Sequence, residues 1–517
     1  MGSPAGAAGP LTSSAAADRA LLERVGGLLT LARSKATTPE AAQTLQAAGQ
    51  RLSGPLRIAI AGKVKAGKST LLNALLGEEL APTDAGECTK IVTWYAHGDQ
   101  PHVRVHPRGA EPVRAGFRRS GGALEVDLDG RAPEDVERIE VFWPTGRLKE
   151  LTFVDTPGIA SLSTDVAART LALLNPEDDR APEVDAIIYL LRHMHSEDVR
   201  FLESFHDDEL ARGTPMNAVG VLSRADEIGS CRLDAMETAD RVASRYAGDP
   251  RLRRLCQVVV PVGGLLGYAG GTLREAEFRA LATVAAAPPD VAGELLLTAD
   301  RFAYRPAPLA LTEIERLHLL DRLGLFGIRL AVDLLQHGVV HSATGLAVEL
   351  TRRSGLTRLR QVLLRQFADR AMILKAMSAL AAVTAVVHAG GCEDPDLFLA
   401  TAEQITSGAH AFEEVRLLDR LRTGELEMPG DSGAELDRLV GGSGHDPASR
   451  LGLPDDAPVG QVRAAALDAL GRWRSITENP LAARAVQNAA RSAVRSLEGV
   501  LMGLAAPVAP GRVDWGA

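Results

Sequence analysis

The feature that most constrains this chain is a glycine-rich loop placed between a short apolar strand and a helix. Residues 56–61 are mostly apolar, and a G-x-x-x-x-G-K-S-T pattern follows them and opens a predicted helix over residues 69–76. In such a loop, glycines let backbone N–H groups approach phosphate oxygens, and the helix N-terminus adds a favourable dipole. The lysine reaches the β- and γ-phosphates, and the serine hydroxyl ligates Mg²⁺. The residues predicted to bind nucleotide here are Gly62, Lys63, Val64, Lys65, Ala66, Gly67, Lys68, Ser69 and Thr70, with Ser69 also a metal ligand.

A second apolar strand ends in an acidic residue and a glycine that extend this predicted site. Residues 151–154 lead into Asp155-Thr-Pro-Gly158, a D-x-x-G pattern. An acid at this place holds Mg²⁺ beside the phosphate loop, and the N–H group of the glycine contacts the γ-phosphate. The alternative is an ordinary Pro-Gly turn, but the phosphate loop upstream favours a nucleotide site. We therefore predict that Asp155 binds metal and nucleotide and that Gly158 binds nucleotide.

Residues after two further apolar strands select the base. The stretch 219–226 ends in Ser-Arg-Ala-Asp, similar to the [N/T]-K-x-D element of GTPases. A carboxylate there accepts hydrogen bonds from two donor groups of guanine, whereas adenine offers a different edge, so the pattern predicts GTP. Arginine in place of lysine keeps a planar group that stacks on the base; the alternative is an aspartate that merely caps a helix. The predicted base contacts are Ser223, Arg224, Asp226, Val262 and Gly263.

A threonine between the phosphate loop and Asp155 is expected to complete the metal site. GTPases place such a residue on a switch segment that orders around Mg²⁺ and the γ-phosphate. Thr83, Thr89 and Thr93 are the candidates. We favour Thr89 as metal ligand and catalytic residue, because it follows a flexible Gly-Glu pair and precedes an apolar strand.

The hydrophobic pattern predicts two structural classes in one chain. Apolar strands alternate with helices up to about residue 265, which indicates a mainly parallel sheet with helices on both faces. Alternating segments at 102–106, 123–128 and 138–142 predict an antiparallel edge or hairpin inserted into it. Helical periodicity then dominates, so we expect an α/β P-loop head followed by a large all-α bundle or stalk. Five regions are predicted: a disordered lead (1–18), an N-terminal helix or helix pair belonging to the neck or stalk (19–53), a GTPase domain (54–268), a helical bundle (269–504) and a flexible tail (505–517).

Composition restricts partners and compartment. A net charge of −9 argues against a general nucleic-acid binder, and four scattered cysteines fit a reducing cytoplasm.

Two apolar stretches approach the length of a membrane-spanning helix. The stretch 255–273 is apolar but contains proline and glycines, so we predict a buried strand running into a loop. The Ala-rich stretch 376–392 is at the short edge of spanning length, and a buried core helix is favoured over a membrane insertion tip.

These motifs together resemble the bacterial dynamin-like GTPases, and most closely the IniC-type isoniazid-inducible proteins of mycobacteria. The resemblance is carried by the stretches 65–70, 82–84, 89–94 and 223–229 in the head and 324–329, 412–416 and 441–444 in the helical part. It implies GTP hydrolysis with Mg²⁺, head dimerisation as a homodimer or with a paralogous dynamin-like protein, and membrane remodelling at the cytoplasmic face of the plasma membrane. Envelope stress or drug tolerance is the expected setting.

The resemblance also leaves the hydrolytic mechanism open. Apolar Ile159 and Ala160 follow Gly158, so the water-orienting glutamine of Ras-like proteins is missing, and Val64 and Lys65 replace the polar pair that dynamins carry in the phosphate loop. Lys65 occupies the place where guanylate-binding proteins and atlastins carry an arginine finger. Lys65 and Lys68 are therefore the predicted catalytic lysines; the alternative for Lys65 is a solvent-facing or binding role.

Two further alternatives concern function. Between Arg352 and Lys375 a helical pattern carries basic residues, which indicates either an anionic-lipid surface or, as we favour, a stalk face paired with acids of the head or a neighbouring helix. The alternative to a membrane-remodelling enzyme is a GTP-dependent switch or scaffold for cell division or envelope maintenance that recruits partners without deforming membrane.

Overall fold

A computed structural model describes residues 13–82, 91–120, 123–157, 184–192, 202, 218–253, 255–256, 258–364, 367, 371–454 and 456–505. The strands are β1 (Leu56–Gly62), β2 (Val92–His97), β3 (His102–Pro107), β4 (Val113–Ala115), β5 (Phe117–Ser120), β6 (Ala123–Val126), β7 (Val136–Trp143), β8 (Leu151–Asp155), β9 (Ala186–Leu191), β10 (Ala218–Ser223) and β11 (Val259–Val262).

The helices of five or more residues are α1 (Ser13–Ser34), α2 (Pro39–Ser53), α3 (Lys68–Leu76), α4 (Ala235–Gly248), α5 (Gly264–Thr272), α6 (Glu275–Ala285), α7 (Pro289–Leu295), α8 (Ala299–Tyr304), α9 (Glu313–Gln336), α10 (Ala343–Arg353), α11 (Leu356–Leu363), α12 (Ala371–His388), α13 (Pro395–Gly408), α14 (His410–Thr423), α15 (Ser432–Leu439), α16 (Pro447–Leu451), α17 (Val459–Glu478) and α18 (Arg484–Ala505). A shorter helical turn lies at Pro250–Arg253, and Ile228–Cys231 forms a turn with left-handed backbone.

A mixed sheet forms the centre of the head. Its order is β11-β10-β9-β1-β8-β2-β7-β3-β4, and the five strands from β11 to β8 are mutually parallel. Strand β2 runs antiparallel to β8, and β3 pairs antiparallel with β7 and β4. The predicted fold class is confirmed, and the chain that links β1 to β8 in sequence forms the predicted antiparallel edge. The parallel strands are buried on both faces, which explains their nearly continuous apolar sequences.

Two predicted local structures need correction. Helix α1 begins at Ser13, so residues 13–18 are helical where a disordered lead over 1–18 was expected. Helix α5 follows β11 directly, where the glycines of 255–273 indicated a loop. Gly267 and Gly270 lie inside α5 because the helix packs too closely on its neighbours for larger residues. A Cβ at Gly270 would lie 2.8 Å from the backbone N of Thr351.

Helices α5 to α11 pack with the head. Helices α4 to α10 share one apolar core that includes Leu266, Phe302 and Phe326, whereas Leu359 of α11 and Phe367 belong to the core beneath the sheet. The boundary expected between residues 268 and 269 lies inside α5. Most buried residues of α12 and of the described helices after it belong to a different core. We therefore propose that the head extends to about residue 370.

A separate bundle contains α1, α2 and α12 to α18. Its core runs from Leu21 to Val500 and includes the fully buried Phe398 and Trp473. Helix α12 lies at the centre, with eleven buried residues. Among the described residues it is also the one helix long and apolar enough to cross a membrane by length and composition. A buried core helix passes the same test, and α12 packs on α1, α2 and α13.

One buried carboxylate joins the bundle to the head. Asp185 immediately precedes β9 and accepts hydrogen bonds from Arg51 Nη2 of α2 (2.9 Å), from the backbone N of Arg57 in β1 (2.9 Å) and from Ser378 Oγ of α12 (3.2 Å). The Lys375 ammonium adds a hydrogen bond to the carbonyl of Gly54. The junction therefore ties two bundle helices to two central strands.

The basic stretch 352–375 does not form one amphipathic helix, so that prediction is wrong. Gly355 breaks it with φ of +77°, and its backbone crosses so close to β11 that a Cβ would overlap the carbonyl oxygen of Pro261. Arg352 and Arg353 pair with Glu349, and Arg358 pairs with Asp240 of the head. The favoured alternative, pairing with acids of the head or a neighbouring helix, holds for Arg358, whereas Glu349 lies in the same helix as Arg352 and Arg353. Arg365 and Arg370 lie outside the described residues.

The break at Gly355 predicts a large local effect on stability. Gly355→Ala places a Cβ against Pro261 and forces a left-handed backbone on an L-residue, so we expect the free energy of unfolding to fall by about 2–4 kcal/mol. Chemical denaturation measures the change. The matched control is Gly499→Ala, in the interior of α18 with open space around it, which should be neutral or stabilising. Equal stability of the two variants would contradict the close approach.

Candidate nucleotide-binding site

The phosphate loop connects β1 to α3 through three special backbone positions. Gly62 has φ of +148°, and a Cβ there would lie 2.9 Å from the carbonyl oxygen of Leu190 in β9. Gly67 caps α3 with φ of +91°, and Lys65 adopts φ of +60° although it is not glycine. The conformation therefore requires glycine at 62 and 67, as the motif indicated. Val64 and Lys65 are both exposed at the tip of the loop.

Lys68 and Ser69 begin α3 and point toward the loop and toward β8. The Lys68 ammonium donates to the carbonyls of Gly62 (3.2 Å) and Lys63 (3.3 Å). Burial lowers the pKa of Lys68, and the neighbouring Asp155 opposes that change. Ser69 Oγ donates to Asp155 Oδ2 at 3.3 Å. The structure therefore brings together Lys68 and Ser69 of the phosphate loop and Asp155 of the D-x-x-G motif.

Asp155 has the surroundings of a metal ligand. Burial raises its pKa to about 6, and Lys68 and Ser69 act in the opposite direction. Its Oδ1 is buried and has no hydrogen-bond partner. A buried carboxylate oxygen without a partner, next to a serine hydroxyl, fits a hard cation such as Mg²⁺. Ser69 and Asp155 are thus the described residues that would hold the ion, and it would neutralise charge on the β- and γ-phosphates.

Three of the predicted residues in this half of the site cannot be placed. Thr83, Thr89 and Gly158 lie outside the described residues. Thr93 is described: it lies in β2 opposite Asp155, is buried, and donates from Oγ1 to the carbonyl of Ile91. This short-range hydrogen bond agrees with the alternative that Thr93 is an ordinary strand residue, placed there for its β-propensity.

Asp226 and the end of β11 form the other half of the site. Asp226 is 7% exposed, and a Cβ at Gly263 would lie 3.2 Å from its carboxylate carbon. Ser223 pairs in register with Val262, so the ends of β10 and β11 coincide. Burial raises the pKa of Asp226 to about 6. The tight fit of Gly263 explains why a glycine follows Val262.

Arg224 adopts a left-handed backbone, with φ of +52°. Its Nη1 donates to Glu227 Oε1 at 2.9 Å, and Arg192 Nη2 donates to the other oxygen of Glu227 at 3.0 Å. Arg224 lines the cavity beside Asp226. Its predicted stacking on the base remains a prediction.

A cavity of about 460 Å³ connects the phosphate loop to Asp226. Its walls include Ala66, Gly67 and Thr70 from the loop side and Ser223, Arg224 and Asp226 from the base side. The sequence analysis did not assign the other wall, which contains Cys231, Gly324, Leu325 and Phe326. Residues 324–326 were noted only for their resemblance to a subfamily, because nothing in a helical pattern indicates contact with a nucleotide loop 100 residues earlier.

A phosphate loop, a buried acid beside its serine and a second buried acid at the base end define a P-loop GTPase. The Dynamin family matches residues 58–224. The isoniazid-induced protein IniC of Mycobacterium tuberculosis is 42% identical over 453 residues, which are 88% of this chain and 91% of that protein. The isoniazid-induced protein IniA of the same organism is 34% identical over 158 residues, 28% of this chain and 23% of that protein.

The chain therefore belongs to the bacterial dynamin-like GTPases, close to IniC; it binds GTP and hydrolyses it. A solved structure of an oligomerised bacterial dynamin pair covers 96% of this chain and 75% of its own, at 12% identity and a TM-score of 0.34. That similarity is too low to add to the argument, so the assignment depends on the sequence match to IniC.

The raised pKa of Asp226 predicts how nucleotide-free stability changes with pH. Above pH 6 the folded protein buries an ionised carboxylate, and below the ordinary pKa of 3.8 both states are protonated. Asp226→Asn should therefore raise the free energy of unfolding at pH 8 by about 2–3 kcal/mol, and this gain should shrink as pH falls from 6 to 4. Denaturant titrations without nucleotide measure it.

The control is Asp249, a carboxylate whose pKa is shifted in the opposite direction. Hydrogen bonds from Arg251 lower its pKa, so its ionised form stabilises the folded state. Asp249→Asn should show no gain at pH 8. A pH-independent effect of Asp226→Asn would contradict the burial of an ionised Asp226.

Proposed function

We propose that this GTPase couples nucleotide-dependent dimerisation of its heads to membrane remodelling on the cytoplasmic side. The family relationship to IniC supports it. The observation that carries it is the course of β9. Leu190, at one end of this strand, contacts Gly62 of the phosphate loop, and Asp185, at the other end, holds two helices of the bundle. One central strand thus extends from the phosphate loop to the bundle.

Mg²⁺ is proposed to act with GTP at the end of β1 and β8. Ser69 and Asp155 are its proposed protein ligands, and Thr89 is proposed as the switch ligand. Gly158 is proposed to contact the γ-phosphate, and Lys68 to move from the loop carbonyls to the β- and γ-phosphates. Asp226 is proposed to accept hydrogen bonds from guanine, with Ser223, Arg224, Val262 and Gly263 around the base. The ion's role is to offset charge that develops on the transferred phosphoryl group.

Lys65 is proposed to neutralise phosphate charge when two heads meet. Its exposed position at the tip of the loop and its left-handed backbone place it away from the core. A positive φ at a non-glycine residue in a functional loop marks a conformation that the surrounding structure must hold. An exposed cation at this place is available to a phosphate in the loop or to a second head.

Lys65→Met tests this role. We expect kcat for GTP to fall about 10- to 100-fold, less than the loss of a full arginine finger because lysine lacks the bidentate fork. The affinity for GDP should change less than threefold. Lys65→Arg should retain most of the activity, because it keeps the charge.

Turnover should be measured over a range of protein concentrations, since a dimer-dependent step gives a larger loss at high concentration. Lys149→Met, at another exposed lysine of the head, is the matched control. Unchanged turnover of Lys65→Met at every concentration would reject the catalytic role and leave GTP binding intact.

The partner is proposed to be a second copy of this chain or a paralogous dynamin-like protein similar to IniA. The membrane is proposed to be the inner face of the plasma membrane. The basic stretch that suggested an anionic-lipid surface is paired within the protein at Arg352, Arg353 and Arg358. These three arginines are therefore not proposed as the membrane-contacting surface.

Liposome flotation and electron microscopy test the membrane step. Purified protein with GTP should co-float with vesicles containing anionic lipid and change their shape, and Lys68→Ala, which weakens phosphate binding, should remove the nucleotide dependence. Head dimerisation is measured in parallel by light scattering. Dimerisation with GTP but no lipid binding in any nucleotide state would favour the switch or scaffold alternative.

A further inference from the structure

The nucleotide cavity has a wall that comes from outside the GTPase motifs. Helix α9 is interrupted at Gly324, with φ of +64° and ψ of 173°, a conformation that is essentially restricted to glycine. A Cβ at Gly324 would lie 3.4 Å from Leu265 Cδ2 of α5. At the interruption, residues 324–326 line the cavity that Asp226 also lines.

Arg329 lies five residues beyond this interruption and holds two loops in place. Its Nη1 donates to the carbonyls of Ser230 (2.9 Å) and Cys231 (2.6 Å). Its Nε donates to the carbonyl of Leu296 (2.8 Å), and its Nη2 to that of Leu297 (2.9 Å). A planar guanidinium with donors in a fixed fork suits such a set of carbonyls, and lysine cannot reproduce it.

One of these loops is strained and borders the base end of the cavity. Gly229, Ser230 and Cys231 have φ of +64°, +61° and +59°. Two non-glycine residues in the left-handed region persist only where neighbours impose the conformation. Arg329 supplies that constraint through two of its four hydrogen bonds, and the loop in turn continues from Asp226 and Glu227. Arg329 therefore restrains the backbone that follows Asp226 and Glu227.

We propose that residues 324–326 of α9 form a wall of the guanine pocket and that Arg329 is a positioning residue for guanine binding. This proposal rests on the proposed role of Asp226. The proposed wall would contact the base and its ribose, because the phosphate loop lies at the other end of the cavity. Helix α9 becomes part of the specificity site, although it lies about 100 residues beyond Asp226 in the chain.

The test compares ligands with and without a base. Arg329→Met should weaken GDP binding at least tenfold, measured by displacement of a fluorescent guanine nucleotide, and should change binding of inorganic tripolyphosphate less than twofold. Gly324→Ala should act in the same direction. Arg279→Met, which removes an exposed ion pair with Glu275 in α6, and Gly499→Ala are the matched controls. A purely structural defect would instead lower the melting temperature and weaken both ligands equally.

Alkylation of Cys231 in the wild-type protein provides a second readout that needs no variant. Cys231 lines the same cavity, so GDP should slow its reaction with iodoacetamide at least tenfold, read by mass spectrometry of its peptide, and tripolyphosphate should not. GDP affinities of Arg329→Met and Arg279→Met within twofold of each other, or alkylation unaffected by GDP, would overturn the proposal.

Asp226→Asn separates this proposal from the one on which it rests. An amide offers a donor and an acceptor that match xanthine rather than guanine, so this variant should prefer XDP to GDP. If it does and Arg329→Met binds GDP normally, only the role of α9 fails. If Asp226→Asn leaves the preference for GDP unchanged, the placement of the base itself fails.

Discussion

The close approach of β1 and β9 at Gly62 is the constraint on which the rest of the site depends. A side chain at residue 62 would collide with Leu190, so the chain can enter the phosphate loop only with glycine there. The same approach keeps β1 between β8 and β9 in parallel register. Asp155 at the end of β8 then lies beside Ser69, because the carboxyl ends of parallel strands meet at one edge of the sheet.

The burial that assembles the site also has a cost for the nucleotide-free protein. Asp155 and Asp226 are both carboxylates whose pKa is raised to about 6 by burial. In the proposed site, a cation would compensate Asp155 and the donor groups of guanine would compensate Asp226. Strand β9 connects this edge to Asp185, where Arg51 and Ser378 of the bundle converge. A change at the phosphate loop and a change at the bundle therefore act on the same strand.

Much of the head could be predicted from the sequence because its signals are local. The phosphate loop, Asp155 and Asp226 each follow a strand in a short motif. The basic stretch after residue 352 was misjudged because helical periodicity continues through Gly355, and only the crossing of β11 beneath it requires the break. The wall at residues 324–326 gave no local signal either, since its proximity to Asp226 arises from the packing of α9 on α5.

By itself, the sequence determined the class of fold, the nucleotide and the residues at the ends of the parallel strands. Those properties depend on short-range patterns: the period of apolar residues, the glycines of a turn and an acid after a strand. Only the tertiary structure decided that α5 to α11 pack on the head, that Asp185 joins the bundle to β9 and that Arg329 holds the loop after Asp226. These contacts link residues far apart in the chain, and their geometry depends on which surfaces pack together, which no local pattern encodes.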